Sequence, residues 1–261
     1  MIRGLDKFRE HFAGFQQHYA LIGGVASSMV LEEAGINFRQ TKDFDIVLCV
    51  EALDRDFVEA FWEFVRRAGY QNQQLSSGEK IFYRFEKPAD SAYPAMLELF
   101  SRNPDYLHPA DGSHLTPIPV DEEVASLSAI LLDADYYNFL KQHIVEIDGV
   151  SVVNETGLIP LKAKAWLDLS QRYQSGEIVD SRNIKKHKND VLRLFQVIPP
   201  DLRVSSPDSV TRDMTDFVEA VLAENSVDLK QLGLVGITLS ELLERLTNVY
   251  QLPAIKRAIH D

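Results

Sequence analysis

Hydrophobic positions recur three and four residues apart at the start of the chain, where Leu5, Phe8, Phe12 and Phe15 predict a helix over 3–18. The run "HYALIGG" is apolar and ends at glycines, which predicts a buried strand, and "VASSMVLEEAG" predicts a helix from Val25 that Gly35 can cap. A second strand is expected at "FDIVLCV" and an amphipathic helix at "LDRDFVEAFWEFVRRAG". The aromatic and branched runs "KIFYRFEK" and "AMLELFSR" predict two further strands. "PIPVDEEVASLSAILLDADYYNFLKQ" reads as helical, and "HIVEIDGVSVVN" as strand-like about an Asp-Gly turn. From Leu158 on, every periodic segment is helical: "GLIPLKAKAWLDLSQRYQSG", "RNIKKHKNDVLRLFQVI", "PDSVTRDMTDFVEAVLAEN" and "TLSELLERLTNVYQL", with Pro199-Pro200 and "SSPDS" between the later ones. The pattern predicts an α+β class: a mixed sheet flanked by helices over 1–120, then a mainly helical domain over 121–261, the changeover falling between 120 and 158.

Composition changes this picture little. The chain has 261 residues, 45% hydrophobic and 25% charged, the balance of a soluble globular protein long enough for two domains. Cys49, the single cysteine, cannot close an internal disulfide, which fits a reducing compartment. The N-terminal stretch carries charges throughout and does not read as a secretory signal; no segment approaches the ~18 apolar residues of a membrane span. A cytoplasmic protein without membrane contact is expected.

Charge is more informative. The net charge of -12 argues against a protein that coats polyanions, because such binding comes from lysine and arginine neutralising phosphates. Yet the stretch from Lys162 to Arg193 holds eight basic residues against four acidic ones, so the remainder carries -16. A local anion site in that stretch stays open.

Candidate chemistry begins at Asp43 and Asp45. Residues i and i+2 of a strand share a face, so both carboxylates point one way while Phe44 and Ile46 enter the core. Carboxylates this close repel unless a positive group lies between them, and Mg2+ is a cation suited to such oxygen ligands. The plainer alternative ends a turn at Asp43 and leaves Asp45 on a solvated face. Gly23-Gly24 sits where a strand gives way to a helix, with Ser27 and Ser28 in its first turn; backbone N–H groups there can approach a phosphate, although a tight turn alone would also use glycines. Glu98 lies between Leu97 and Leu99, costly if buried unless paired or metal-bound, and unremarkable if alternation turns it to water.

With these residues in place, "GGVASSMVLEEAGINFRQTKDFDIVL" resembles the signature of the DNA polymerase beta-type nucleotidyltransferase superfamily: a glycine turn at a helix start, then Asp-x-Asp on the next strand, with Glu98 as the third acid. Arg39, Thr41, Asp43, Phe44 and Asp45 resemble the Arg-x-Thr-x-Asp-hydrophobic-Asp variant of the AbiEii-like nucleotidyltransferase toxins. The resemblance implies a nucleotidyltransferase-like sheet. It also implies Asp43, Asp45 and Glu98 as ligands of Mg2+, with Mn2+ as a substitute, and a phosphate seat from Gly23, Gly24, Ser27, Ser28, Arg39 and Thr41. It further implies a lysine on a later helix, Lys162 or Lys164 with spacing favouring Lys162, and Asp190 in a basic helix. There Lys186, His187 and Arg193 lie within about a turn of Asp190.

The implied reaction moves a nucleoside monophosphate from a nucleoside triphosphate to an acceptor hydroxyl, on tRNA or on protein, by a toxin that a cognate antitoxin would hold. Two departures stand out. Gly24 takes the place of the serine that often follows the first glycine, and the third acid is Glu. The rival reading is a catalytically silent nucleotide- or RNA-binding protein on the same fold; a P-loop phosphotransferase is excluded, since G-x-x-x-x-G-K-[ST] does not occur. A zinc site at His108 and His114, near Asp105 and Asp111, is a weaker candidate. Phe61-Trp62 and Tyr136-Tyr137 are expected in the core rather than as base-stacking platforms.

Overall fold

The computed structural model describes all residues except 1, 75–79, 103–114, 118–127, 225–226 and 254–261, and gives the backbone alone for 72–74, 80–83, 115–117 and 128–131. The His108 and His114 loop therefore lies outside the described residues. The chain forms two compact units, Met1–Asn154 and Glu155–Asp261. The first is α+β, a mixed sheet flanked by helices; the second is helical. Residues 121–154, placed with the helical domain by sequence, fall in the first unit.

In the first unit, β1 (Tyr19–Ile22), β2 (Asp43–Leu48), β4 (Lys80–Glu86) and β5 (Met96–Ser101) form the middle of the sheet. Beyond them lie β3 (Gln71–Gln74) on one side and, on the other, β9 (Val150–Val153) and β8 (Ile144–Ile147), in the order β3-β4-β5-β2-β1-β9-β8. The pairs β2–β5 and β1–β9 are parallel, while β1–β2 and β4–β5 are antiparallel. Strand β7 (Ser128–Leu131) runs parallel to the end of β5 at Phe100 and Ser101, and β6 (Leu115–Pro117) pairs with β7. Of the helix expected over 117–142, residues 118–127 lie outside the described residues, 128–131 form a strand, and α4 (Ala134–Lys141) is helical. A four-residue apolar run fits either state; pairing with β5 decides for strand.

One face of the sheet is sealed by aromatic rings. Helices α1 (Leu5–His11) and α3 (Arg55–Ala68) bring Phe8, Phe57, Phe61 and Phe64 to a cluster with Phe12, Phe44 and Phe85. Phe8 lies 5.3 Å from Phe44, Phe12 5.3 Å from Phe64, and Phe61 5.6 Å from Phe85. Each of these fully buried rings contributes ~1.5–3 kcal/mol by leaving water. Tyr136 and Tyr137 are also buried, and Trp62 nearly so. Helix α3 starts where Asp54 accepts from the Phe57 amide at 2.8 Å and stops at Gly69, whose φ of 67° suits a left-handed cap. The β8–β9 hairpin turns at Asp148 and Gly149, both at positive φ, as a type I′ turn requires.

Glu51, just past β2, explains why α4 belongs to this unit. Its carboxylate accepts from Lys141 Nζ at 2.8 Å, Tyr137 Oη at 2.7 Å and Arg102 Nη2 at 3.1 Å, joining the ends of β2, β5 and α4.

The second unit packs α5 (Glu155–Gln174) against α6 (Ser181–Leu194) and α7 (Asp208–Glu224), with α8 (Leu239–Val249) on α7. Trp166 meets Phe217 edge-on at 5.3 Å. Pro160 lies inside α5 and has no N–H to offer the Thr156 carbonyl one turn back. The buried Tyr250 hydroxyl donates to that carbonyl at 2.8 Å.

Candidate active site

The first unit sets its conspicuous charges in a row. Asp43 and Asp45 alternate along β2 with Phe44 and Ile46, which are buried, so the two half-buried aspartates leave the face opposite the aromatic layer. Asp45 is registered with Glu98 of β5, Glu98 with Arg84 of β4, and on the other side Asp45 stands opposite Ile22 at the end of β1. Residues paired directly across strands project to the same face, so Arg84, Glu98 and Asp45 stand side by side, with Asp43 one step along and registered with Met96.

Neighbouring carboxylates of like charge destabilise such a row. The Arg84 guanidinium relieves it: Nε donates to Glu98 Oε1 at 2.6 Å, and Nη2 donates to the same oxygen. Glu98 is 8% exposed, so this ion pair also accounts for an acid among buried leucines. Sequence reading missed Arg84. It shows in "KIFYRFEK" only as one charge in an aromatic strand, and its partner is fixed by register alone.

The glycine turn closes the other end of the row. Gly23 is the first residue of α2 (Gly23–Glu33) and has φ of 66°. A Cβ there would fall on Asp45 Oδ2 and lie 2.9 Å from its Cγ, so the turn backbone packs directly against the carboxylate. Gly24 is covered by the tail of the preceding loop: a Cβ would come within 2.7 Å of Thr41 Oγ1 and 3.3 Å of Arg39 Nη2. The Arg39 guanidinium also lies 5.0 Å over the Phe38 ring. The hydroxyls expected to meet phosphate turn inward instead. Buried Ser27 donates to the Gly23 carbonyl at 2.6 Å, and buried Ser28 to Glu32 at 2.8 Å. What this helix start offers an anion is its backbone N–H groups and dipole, beside the Arg39 cation.

The structure therefore brings Gly23, Gly24, Arg39, Thr41, Asp45 and Glu98 into one neighbourhood, with Asp43 next along β2. Among the described residues no group of three His, Cys, Asp or Glu side chains is placed to hold a metal, and Glu98 Oε1 accepts from Arg84.

The remaining candidates lie in the second unit. Lys162 of α5 donates to Asp190 of α6 at 2.9 Å, with the two residues 4% and 1% exposed. Lys164 turns away from that pair and bonds Asp213 of α7 at 3.0 Å. Lys186 is exposed and His187 half-buried. Lys188, not singled out by sequence, is buried, bonds Glu224 at 2.6 Å and lies 5.9 Å over the Trp166 ring. A cleft of about 590 Å³ opens among α5, α6 and α7, lined by Trp166, Tyr173, Lys185 and Lys188. It holds none of the sequence-derived candidates.

No family model matches the chain, and no curated protein matches it. Among solved structures, the Megavirus polyadenylate synthase is similar with a TM-score of 0.35 and 12% identity, over 84% of this chain and 37% of that one. This chain thus spans well under half the length of that protein, and so distant a likeness carries no argument about activity. Among the described residues no helix is long and apolar enough to cross a membrane.

Proposed function

We propose that the first unit binds a nucleoside triphosphate with a divalent cation and transfers its nucleoside monophosphate to an acceptor hydroxyl. The observation that carries this reading is the packing of the Gly23 turn against the Asp45 carboxylate, which sets the start of a helix beside two aspartates on one strand face. The donor set fits a hard cation: Asp43 and Asp45 supply carboxylate oxygens from one face of one strand. Mg2+, or Mn2+ in its place, would neutralise charge on the phosphates and lower the pKa of the acceptor hydroxyl.

The protein's own groups do the rest. Backbone N–H groups at the start of α2 and the Arg39 guanidinium hold the terminal phosphates. The acceptor oxygen attacks the α-phosphorus, the bond from that phosphorus to the bridging oxygen of pyrophosphate breaks, pyrophosphate leaves, and the hydroxyl proton passes to solvent or an aspartate. That the acceptor is tRNA or a protein, and that the chain acts as a toxin restrained by an antitoxin, rests on the Arg39-to-Asp45 resemblance alone. The same resemblance assigns Lys162 and Asp190 their catalytic roles, and Lys164, Lys186 and His187 their nucleotide contacts.

The rival, a silent nucleotide- or RNA-binding protein, draws support from the pairing of Glu98 Oε1 with Arg84, which competes with a cation for that oxygen. Incubation with each of the four α-labelled triphosphates, Mg2+ and a mixture of tRNA and protein acceptors separates the two. Label transfer by the wild type and none by Asp45→Ala supports the transferase. Full transfer by Asp45→Ala overturns the metal reading, and triphosphate binding without transfer by the wild type supports the silent binder.

A further inference from the structure

On α5, Trp166, Ser170, Tyr173 and Gln174 share one face, since residues three and four apart lie on the same side of a helix. Exposure along that face rises from 7% at Trp166 to 57% at Tyr173, so the cleft of about 590 Å³ among α5, α6 and α7 is deep at Trp166 and open at Tyr173. Trp166 is fixed by its neighbours: Phe217 meets it edge-on, and Lys188 Nζ lies 5.9 Å over its ring. Tyr173 has no aromatic or cationic partner among the described residues. The Ser170 hydroxyl, on the same wall, is covered and has no hydrogen-bond partner among them, a condition that costs stability in a folded chain.

We propose that this cleft binds a nucleobase, carried by a free nucleoside or by an unpaired residue of a single-stranded nucleic acid. Tyr173 supplies an exposed ring at its mouth, and stacking on such rings holds any base, because every base has a π-face. Gln174, Asn189 and Gln231 line the cleft from α5, α6 and the 3-10 turn Lys230–Leu232. A carboxamide presents a donor and an acceptor side by side, which matches the edge of a base. The charged lining residues, Lys185 and Lys188 with Glu224 and Asp228, sum to zero formal charge, so the cleft takes an uncharged ring and gives phosphates no net attraction. Its volume lies within the ~300–1,000 Å³ of small-molecule pockets. The proposal concerns the second unit alone and does not rest on the transferase reading.

Trp62 and Trp166 are the two tryptophans of the chain, so a Trp62→Phe background leaves Trp166 as the fluorescent reporter. Titration with adenosine, guanosine, cytidine and uridine is expected to change its emission saturably for at least one of them, and equilibrium dialysis of that nucleoside on the unsubstituted chain gives the Kd. Tyr173→Ala is expected to raise this Kd about tenfold, and Tyr173→Phe, which keeps the ring, to leave it within about threefold. Asn189→Leu is expected to raise it about fivefold through the lost hydrogen bond. Because Tyr173 is exposed, its replacement leaves the fold intact. Asp45→Ala is expected to leave the nucleoside Kd unchanged, and the matching triphosphate without divalent cation to give the same Trp166 titration as the nucleoside.

A short single-stranded RNA that binds more tightly than the nucleoside, with the same dependence on Tyr173, supports the proposal with a nucleic acid as the source of the base; an RNA that binds no more tightly supports it with a free nucleoside. No response to any of the four nucleosides or to the RNA overturns it. So does binding that Tyr173→Ala leaves unchanged, or binding lost in Asp45→Ala, which would seat the nucleoside in the first unit. Triphosphate uptake that needs Mg2+ and leaves Trp166 emission unchanged supports the transferase reading and overturns this one.

Discussion

The Asp45 carboxylate fills the space that a side chain on Gly23 would occupy, and Gly23 holds a φ of 66° that L side chains rarely adopt. Two independent constraints thus fix one glycine, one steric and one conformational. Gly23→Ala is expected to lose about 1–3 kcal/mol of stability, and to push Asp45 out of line so that transfer and Mn2+ binding fall together. Gly24 is the internal contrast. It has no positive φ, and its neighbours are the ends of the Thr41 and Arg39 side chains, which can shift. Gly24→Ala should keep its stability within about 0.5 kcal/mol and its Mn2+ affinity, while weakening triphosphate binding by disturbing Arg39. Denaturant melts and Mn2+ titrations of the two variants side by side test the contrast; equal losses in both would refute it.

Glu51 gives a pH prediction with a defined sign. Burial pushes its carboxyl up, but hydrogen bonds from Lys141, Tyr137 and Arg102 outweigh that and hold it at about 2, against an ordinary value of 4.5. A depressed folded-state pKa contributes stability that is present above about 4.5 and lost as pH falls toward 2. Because the side chain is 40% exposed, solvent screening reduces the contribution to about 1 kcal/mol. The difference in urea midpoint between wild type and Glu51→Gln should therefore be largest near neutral pH and shrink through the acid range. A difference that stays constant to pH 2.5 would show that the Glu51 cluster has no electrostatic share.

Sequence pattern alone carried much of the fold because its signals were local. Helix α3, with Asp54 before it and Gly69 after it, and the Asp-Gly hairpin of β8 and β9 each contain their own start and stop. Strand β3, reading Gln-Asn-Gln-Gln, has no apolar alternation and exists through pairing with β4 alone, so nothing in its own residues announced it. The site divides in the same way. The common face of Asp43 and Asp45 follows from strand periodicity, but the Arg84–Glu98 pair and the packing of Gly23 on Asp45 depend on register between strands distant in the chain. The inward hydrogen bonds of Ser27 and Ser28 were hidden for a related reason: helix position alone does not show whether a hydroxyl faces outward or the turn beneath it.

Tyr250 and Thr156 provide a test of how the second unit tolerates a proline within a helix. The ring nitrogen of Pro160 cannot donate one turn back, and Tyr250, fully buried, donates to the Thr156 carbonyl in its place. Tyr250→Phe keeps the ring and removes that donor, with an expected loss of about 1–2 kcal/mol. Pro160→Ala restores a backbone donor for the same carbonyl, so in that background Tyr250→Phe should cost less. A double-mutant cycle by chemical denaturation measures the coupling, and strict additivity would show the two features to be independent.

Lys162 and Asp190 carry the strongest expectation for the second unit, because both are almost entirely buried and 2.9 Å apart. Removing one member leaves the other charge in a poorly solvated interior, so Asp190→Ala and Lys162→Ala are each expected to destabilise by about 3–5 kcal/mol. Replacing both by apolar residues of similar size, Lys162→Met with Asp190→Leu, removes the uncompensated charge and should recover most of that loss. This double variant separates the pair's structural contribution from the catalytic role implied by resemblance. If it regains stability and also transfers label at the wild-type rate, the pair holds α5 to α6 and nothing more. Recovered stability with lost transfer gives Lys162 a chemical role as well. Its Mn2+ affinity should match wild type in either case, since the cation is assigned to Asp43 and Asp45 of the first unit.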